Sequence, residues 1–162
     1  MSILLNQNLI RLCSTDYDGS VSDGPGVRTV IYVQGCKFGC KNCHNKQTWD
    51  FYGGYTIEIL ELFDEIVKKS KYQRITISGG EPLLQKEAVY ELIKLLHSKH
   101  YDIALYTGYE LKDVPQEFFG KLHYIKTGRF IQELSSTVIP YVGSSNQKFV
   151  EIRGTGEFYE FK

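Results

Sequence analysis

Four times along this chain a short β-rich run ends in a polar, glycine-bearing segment. Thr29 to Val33 runs into GCKFGC, Arg74 to Ser78 into GGEP, Asp102 to Tyr106 into TGY, and Tyr124 to Lys126 into TGRF. Between these runs, apolar residues recur at helical spacing. One such stretch follows Thr56, a residue type that caps helices, and carries Ile59, Leu60, Leu62, Phe63, Ile66 and Val67 on one expected face. The next spans Gln85 to His97, with Ala88, Val89, Leu92, Ile93, Leu95 and Leu96 expected inward. A short helix is expected at 116–121, a first strand at 8–12 and a last strand over Lys148 to Ile152. Asp16 to Gly26, rich in Gly, Asp and Ser, reads as turn and loop.

Strand, loop and helix in repeated order are the pattern of βαβ units on a parallel sheet. A closed eightfold barrel takes about 250 residues. At 162 residues the chain falls short of that. The expected fold is therefore α/β, a partial (open) βα barrel with a mostly parallel sheet, in a single domain over 1–162. Ligands in such folds bind at the C-terminal ends of the strands, where the four polar segments fall. An open barrel also leaves a lateral gap that admits something large.

The net charge is zero, which gives no reason for bulk attraction to nucleic acid or to an anionic membrane. No apolar run approaches the roughly 18 residues of a membrane span. The opening MSILLNQNLIRLC lacks a basic segment ahead of a long apolar run, so no signal peptide is expected. The expected compartment is cytoplasmic, where thiols stay reduced. That turns the cysteines toward metal or redox chemistry.

Three of the four cysteines lie in one loop, as Cys36-x3-Cys40-x2-Cys43. Thiolates are soft ligands for zinc or iron–sulfur groups. A structural zinc site takes four ligands. Here the fourth would be His44, cramped beside Cys43, or the distant Cys13. A four-iron cluster held by three thiolates would instead leave one iron open. Zinc, an open-iron cluster and chance clustering are all compatible with the spacing taken alone.

The triplet after one strand and GGEP after the next resemble the radical S-adenosylmethionine superfamily. That resemblance implies the radical SAM type of barrel, with one 4Fe-4S cluster on Cys36, Cys40 and Cys43 (cluster loop 36–43) and S-adenosyl-L-methionine on the open iron. It also implies that Gly79, Gly80 and Glu81 line the methionine amino group, and that Asn42, Cys43, His44 and Thr107 contact the cofactor. The superfamily often has an aromatic residue before the third cysteine; here it is Asn42.

DGPGVRTVIYVQGC (Asp23 to Cys36) with CHN (Cys43 to Asn45) is similar to the glycyl-radical-enzyme activases. HNKQTWDF, GRF (Gly128 to Phe130) and GSSNQ (Gly143 to Gln147) resemble the branch that acts on anaerobic, class III ribonucleoside-triphosphate reductase. The implied function is an oxidoreductase activase. It cleaves S-adenosylmethionine reductively and uses the 5′-deoxyadenosyl radical to make a glycyl radical on the reductase's large subunit, with an electron donor such as flavodoxin. The alternatives are an activase of pyruvate formate-lyase or another glycyl radical enzyme, and a non-catalytic zinc-binding module.

Other residues carry two readings each. Arg28 either belongs to a Gly-Pro-Gly turn or orients a carboxylate of a ligand or partner. Thr107, Lys126 and Thr127 either end strands or touch the cofactor. Trp49, Tyr52 and Tyr55 either cover the cysteine loop or pack on a partner. Cys13 reads as a small packed thiol.

Overall fold

The computed structural model describes residues 8–154 and 156–162. Among these, eight strands form one open sheet in the order β3-β1-β2-β4-β5-β6-β7-β8. The four central strands are parallel: β2 (Arg28–Val33), β4 (Arg74–Gly79), β5 (Asp102–Tyr106) and β6 (Tyr124–Thr127). β1 (Leu9–Ser20) and β3 (Tyr55–Glu58) extend one flank antiparallel, and β7 (Lys148–Arg153) and β8 (Glu157–Glu160) extend the other. The sheet is a partial α/β barrel, open between β3 and β8, with a parallel centre and antiparallel borders.

The two faces of the sheet differ in chemistry. On one, Ile31, Val33, Ile75, Ile77, Ile103, Leu105 and Ile125 form a continuous apolar core with the helices α1 (Ile59–Lys69), α2 (Lys86–Ser98) and α3 (Gln116–Phe119). In α2 the expected stripe holds: Ala88, Val89, Leu92, Ile93 and Leu96 are buried. Each such Leu or Ile side chain contributes about 1.5–3 kcal/mol by leaving water. The opposite face carries an aromatic group around Phe149, Tyr106 and Ala104, flanked by Tyr124, Tyr141 and Phe161. Tyr32, Ser78 and Lys126, on β2, β4 and β6, line a cleft of about 600 Å³ there.

Three local expectations are corrected. Thr56 does not cap a helix; it pairs with Arg11 in β3, and α1 begins at Ile59 after Glu58. The free edge of β1 takes up this β-branched Tyr-Thr-Ile run. With the helix starting there, Ile59, Leu62 and Ile66 face the core, whereas Leu60 and Val67 are 64% and 47% exposed. Strand β1 also runs on to Ser20, into the segment read as loop. Asp16 accepts from the backbone N–H groups of Asp18 and Gly19, and the ladder to β2 shifts register there. The turn chemistry survives as an irregularity inside the strand rather than ending it.

Arg28 begins β2 and is fully buried. Its guanidinium donates to Thr76 Oγ1 (2.8 Å), Pro25 O (2.9 Å), Ile75 O (3.1 Å), Asp102 O (3.0 Å) and Asp102 Oδ1 (2.7 Å). Thr76 in turn donates to Asp23 O. One arginine thus ties the N-terminal ends of β2, β4 and β5 together, and its side chain, with no exposed surface, is turned into the sheet rather than toward a ligand. Of its two readings, the structural one holds. Arg28→Met is expected to lower stability by about 3 kcal/mol, because it strands buried carbonyls and a carboxylate without their donor. The check is equilibrium urea unfolding, with the milder Asp102→Asn costing less because that carboxylate is partly hydrated.

Candidate functional site

The four polar segments meet at the C-terminal edge of the parallel strands, as expected. The loop after β2 is closed on itself. Gly35 N donates to Thr48 O (2.6 Å), Cys36 N to Trp49 O (3.2 Å) and Cys43 N to Cys40 O (3.1 Å). The GGEP turn then clamps this loop: Gly80 N donates to Val33 O and Glu81 N to Gly35 O, both at 2.9 Å. The approach leaves no room for side chains. A Cβ on Gly80 would lie 2.3 Å from Gly35 O, and one on Gly79, whose φ is +107°, would lie 2.4 Å from Val33 N. Both glycines are therefore required by backbone meeting backbone.

Cys36, Cys40 and Cys43 are free and half-buried, and they line one pocket with Phe38, Asn45, Trp49, Gly79, Gly80, Glu81, Thr107 and Lys126, among others. Burial pushes the Cys36 thiol up. Among the described residues no three His, Cys, Asp or Glu side chains converge as a single-ion site. Thiols spread around a shared pocket suit a multi-iron cluster, whose irons lie apart, better than one ion. Neither candidate fourth ligand for zinc lines this pocket: Cys13 lies on β1, and His44 lines only the larger cleft.

Glu81 is buried and already engaged. Its Oε1 accepts from Leu83 N (3.0 Å) and Thr107 Oγ1 (2.7 Å), and its Oε2 accepts from Gly108 N (2.7 Å). Burial pushes its carboxyl above the usual carboxylate range, against the pull of those donors. Glu81 is thus a strut between the β4 and β5 turns as well as part of the pocket wall. Thr107 shares this role, since its hydroxyl also accepts from Tyr109 N.

The remaining turns are joined by rings and amides. Phe38 packs edge-on against Tyr109 at 5.0 Å, and Arg129 lies 4.3 Å over Phe38. His44 is exposed and its ring sits 5.5 Å from that of Phe130. Gln147 of GSSNQ accepts from Gly143 N and Ser144 N and donates to Gly128 O. GSSNQ therefore buttresses the TGRF turn, and Gln147 lines both the cysteine pocket and the larger cleft. Trp49 lines the cysteine pocket, whereas Tyr52 is 86% exposed.

Asn42 lies apart from the other candidates. It is exposed and lines neither cavity, and its φ is +57°. It sits just before Cys43 in the turn closed by Cys43 N and Cys40 O, at a left-handed position that favours Gly or Asn. That conformation gives a local reason for Asn where an aromatic is common. Two residues of the site carried no sequence assignment. Asn45 donates from its side chain toward Gly79 O (3.5 Å) and from its backbone toward the Cys43 sulfur (3.4 Å), and it lines both cavities. Tyr106 reads as a core aromatic, but it also lines both. The signal for it was its place as the last residue of a strand ending in TGY.

The sequence profile of a family described as "4Fe-4S single cluster domain" matches residues 22–150. A protein from Vibrio cholerae is 33% identical over 142 residues, covering 81% of this chain and 92% of its own. One from Haemophilus influenzae is 31% identical over 148 residues, with the same two coverages. Both are named anaerobic ribonucleoside-triphosphate reductase-activating protein. The pyruvate formate-lyase-activating enzyme of Clostridium pasteurianum is 40% identical over 91 residues, covering 53% of this chain and 38% of that enzyme.

The clamp makes a direct prediction. Gly80→Ala is expected to retain less than about a third of the wild-type iron and sulfide after anaerobic reconstitution, since its Cβ must displace the backbone of the cysteine loop. Asn42→Gly is expected to retain wild-type levels and Asn42→Val to fall below them, because a β-branched residue is strained at positive φ.

Proposed function

Because the chain belongs to the family of anaerobic ribonucleoside-triphosphate reductase-activating proteins, we propose that it generates a glycyl radical on the large subunit of that reductase. The observation that carries this reading is the meeting of three thiols with the GGEP turn in one pocket that opens into a larger cleft. Cys36, Cys40 and Cys43 hold a 4Fe-4S cluster, and Gly79, Gly80, Glu81, Thr107, His44 and Asn45 form the surroundings of S-adenosyl-L-methionine. Asn42 acts on this site through the turn that places Cys43. When bound and reduced, the cluster supplies the electron that cleaves S-adenosylmethionine to methionine and a 5′-deoxyadenosyl radical.

The protein's own part is placement and exclusion of water. The clamp on Gly35 and Val33 fixes the thiols relative to β4. Glu81 fixes the β5 turn against them. Trp49 and Phe38 wall the cysteine pocket. The cleft beyond it, flanked by Ser22 and Asp23 on one side and Ser136 to Val142 on the other, receives the glycine-bearing loop of the reductase. To reach the pocket, that loop has to leave its own core.

The electron comes from outside. No Asp or Glu lies between Gln34 and Trp49, whereas Lys37, Lys41 and Lys46 are all exposed there. This basic surface beside the thiols suits an acidic carrier such as a flavodoxin. The zero net charge supports a reading without nucleic acid or membrane, and no helix among the described residues is long and apolar enough to cross a membrane. We place the protein in the cytoplasm, where its thiols stay reduced.

The test is anaerobic reconstitution, followed by incubation with S-adenosylmethionine, a reductant and the reductase. A glycyl doublet in the paramagnetic resonance spectrum is expected, and Cys36→Ala, Cys40→Ala and Cys43→Ala should each abolish it. A doublet on pyruvate formate-lyase alone would reassign the substrate to that related enzyme. A second expectation concerns electron entry. Reversing Lys37, Lys41 and Lys46 together to Glu should slow flavodoxin-driven S-adenosylmethionine cleavage by about tenfold at low salt, while dithionite-driven cleavage stays near wild type.

A further inference from the structure

Three exposed aromatic residues follow closely on the cysteine loop: Phe51 at 50%, Tyr52 at 86% and Tyr55 at 44%. Single exposed aromatics are ordinary on a protein surface. A group of them on a braced turn is not. Within the turn 50–53, Asp50 Oδ1 accepts from Tyr52 N (2.9 Å) and Asp50 O from Gly53 N (3.1 Å). Gln34 Nε2 donates to Asp50 O (2.7 Å) and to Gln47 O (3.2 Å). The Arg11 guanidinium donates to Gly53 O (2.8 Å) and Tyr52 O (3.4 Å). The ring of Phe51 covers Gly35, where an added Cβ would lie 2.9 Å from it. Just before the turn, Trp49 O accepts from Cys36 N, and Trp49 lines the cysteine pocket. Tyr52 is thus fixed at its backbone and bare at its ring, on a turn bonded to the loop that carries the thiols.

Position and charge say which partner this ring fits. The turn is anchored on Arg11 of β1 and on Gln34, the residue after β2. No residue from 46 to 77 lines the larger cleft, whose far wall comes from the segment after β6. Cations surround the turn: the Arg11 guanidinium lies against its carbonyls, and the exposed Lys46 precedes it. Its one acid, Asp50, is engaged with Tyr52 N. A rigid tyrosine offers contact area at small entropic cost, and an aromatic anchor inside a charged rim carries much of a protein interface. A basic rim selects an acidic partner. We propose that Tyr52, with Phe51 beside it, is the anchor on which an acidic flavoprotein electron carrier docks, on a face separate from the cleft. This rests on the function proposed above. At each docking one electron leaves the carrier's reduced flavin and enters the cluster. The carrier is oxidised by one electron, the cluster is reduced by one, and no bond forms or breaks. Separate faces allow carrier and reductase to be bound together.

The experiment uses the reconstituted holoprotein. Methionine release from S-adenosylmethionine is followed with reduced flavodoxin or with dithionite, and the glycyl doublet on the reductase with dithionite alone. Tyr52→Ser is expected to raise the KM for flavodoxin about tenfold. Dithionite-driven cleavage and the KM for the reductase should stay within about twofold of wild type. Tyr52→Phe, which keeps the ring, should lose less. A raised KM for the reductase with an unchanged one for flavodoxin would overturn the proposal in favour of a reductase contact. Two unchanged KM values would overturn it by leaving the ring without a partner. An equal fall with both reductants would overturn it, since the turn would then only brace the cysteine loop. If Tyr52→Ser does not take up iron, the wild type carries the test: oxidised flavodoxin is expected to protect Phe51 and Tyr52 from hydroxyl-radical labelling, and absence of protection overturns the proposal. Wild-type protein that cleaves S-adenosylmethionine with dithionite but ignores flavodoxin overturns only this inference. One that fails with dithionite as well overturns the proposed function and this inference with it.

Discussion

Everything at this site depends on two backbone hydrogen bonds, Gly80 N to Val33 O and Glu81 N to Gly35 O. They pin the loop that carries the thiols to the end of the next strand, and they require two successive residues without side chains. The resemblance implies that these glycines line a ligand's amino group. Their first constraint is internal: each added Cβ would collide with the backbone of β2 or its loop. The same close approach leaves the backbone of both glycines bare in the pocket wall. Packing need and ligand access are here one property of the glycine backbone rather than rival explanations.

Strands β2, β4, β5, β6 and β7 were legible in the sequence because their residues are buried on one or both faces and their ends are marked by Gly or polar residues. Strands β3 and β8 were not. Each is a four-residue edge strand with little burial, so neither apolar alternation nor length announces it. What makes them strands is a free ladder on β1 and on β7, a property of the assembled sheet. The long β1 was hidden for a related reason. Its second half is written in turn residues, and only the pairing with β2 keeps it extended.

The site divides along the same line. The cysteines and GGEP could be placed from spacing because each follows directly on a strand. The partners of Glu81 could not, since Thr107 and Gly108 lie 26 and 27 residues away and meet it only when β4 and β5 pair. A carboxylate expected to face a ligand ammonium turns out to hold two turns together. Asn42 differs in another way: its left-handed backbone beside Cys43 gives it a local reason for being Asn that the sequence did not show.

Charge is distributed with a purpose that the zero net total conceals. The exposed lysines lie in the cysteine loop, where no acid interrupts them in sequence between Gln34 and Trp49, and one of them, Lys41, reaches the exposed Glu133 at 4.0 Å. Inside, the cavity holds one buried carboxylate already bound by three donors and one ammonium without a partner. An unpaired cation in a wall of low polarity destabilises the fold that contains it. Arg28 marks the contrast. Its charge is fully buried, whereas Lys126 is half-buried in a cavity wall, and Thr76, Pro25, Ile75 and Asp102 take its hydrogen bonds, so it anchors strands. Two cations lie on one sheet face, Arg28 buried and Lys126 half-buried, 5.6 Å and 4.3 Å from the rings of Tyr124 and Tyr106 respectively. Only the one at the strands' C-terminal end is left unsatisfied, and that is the end where the thiols are.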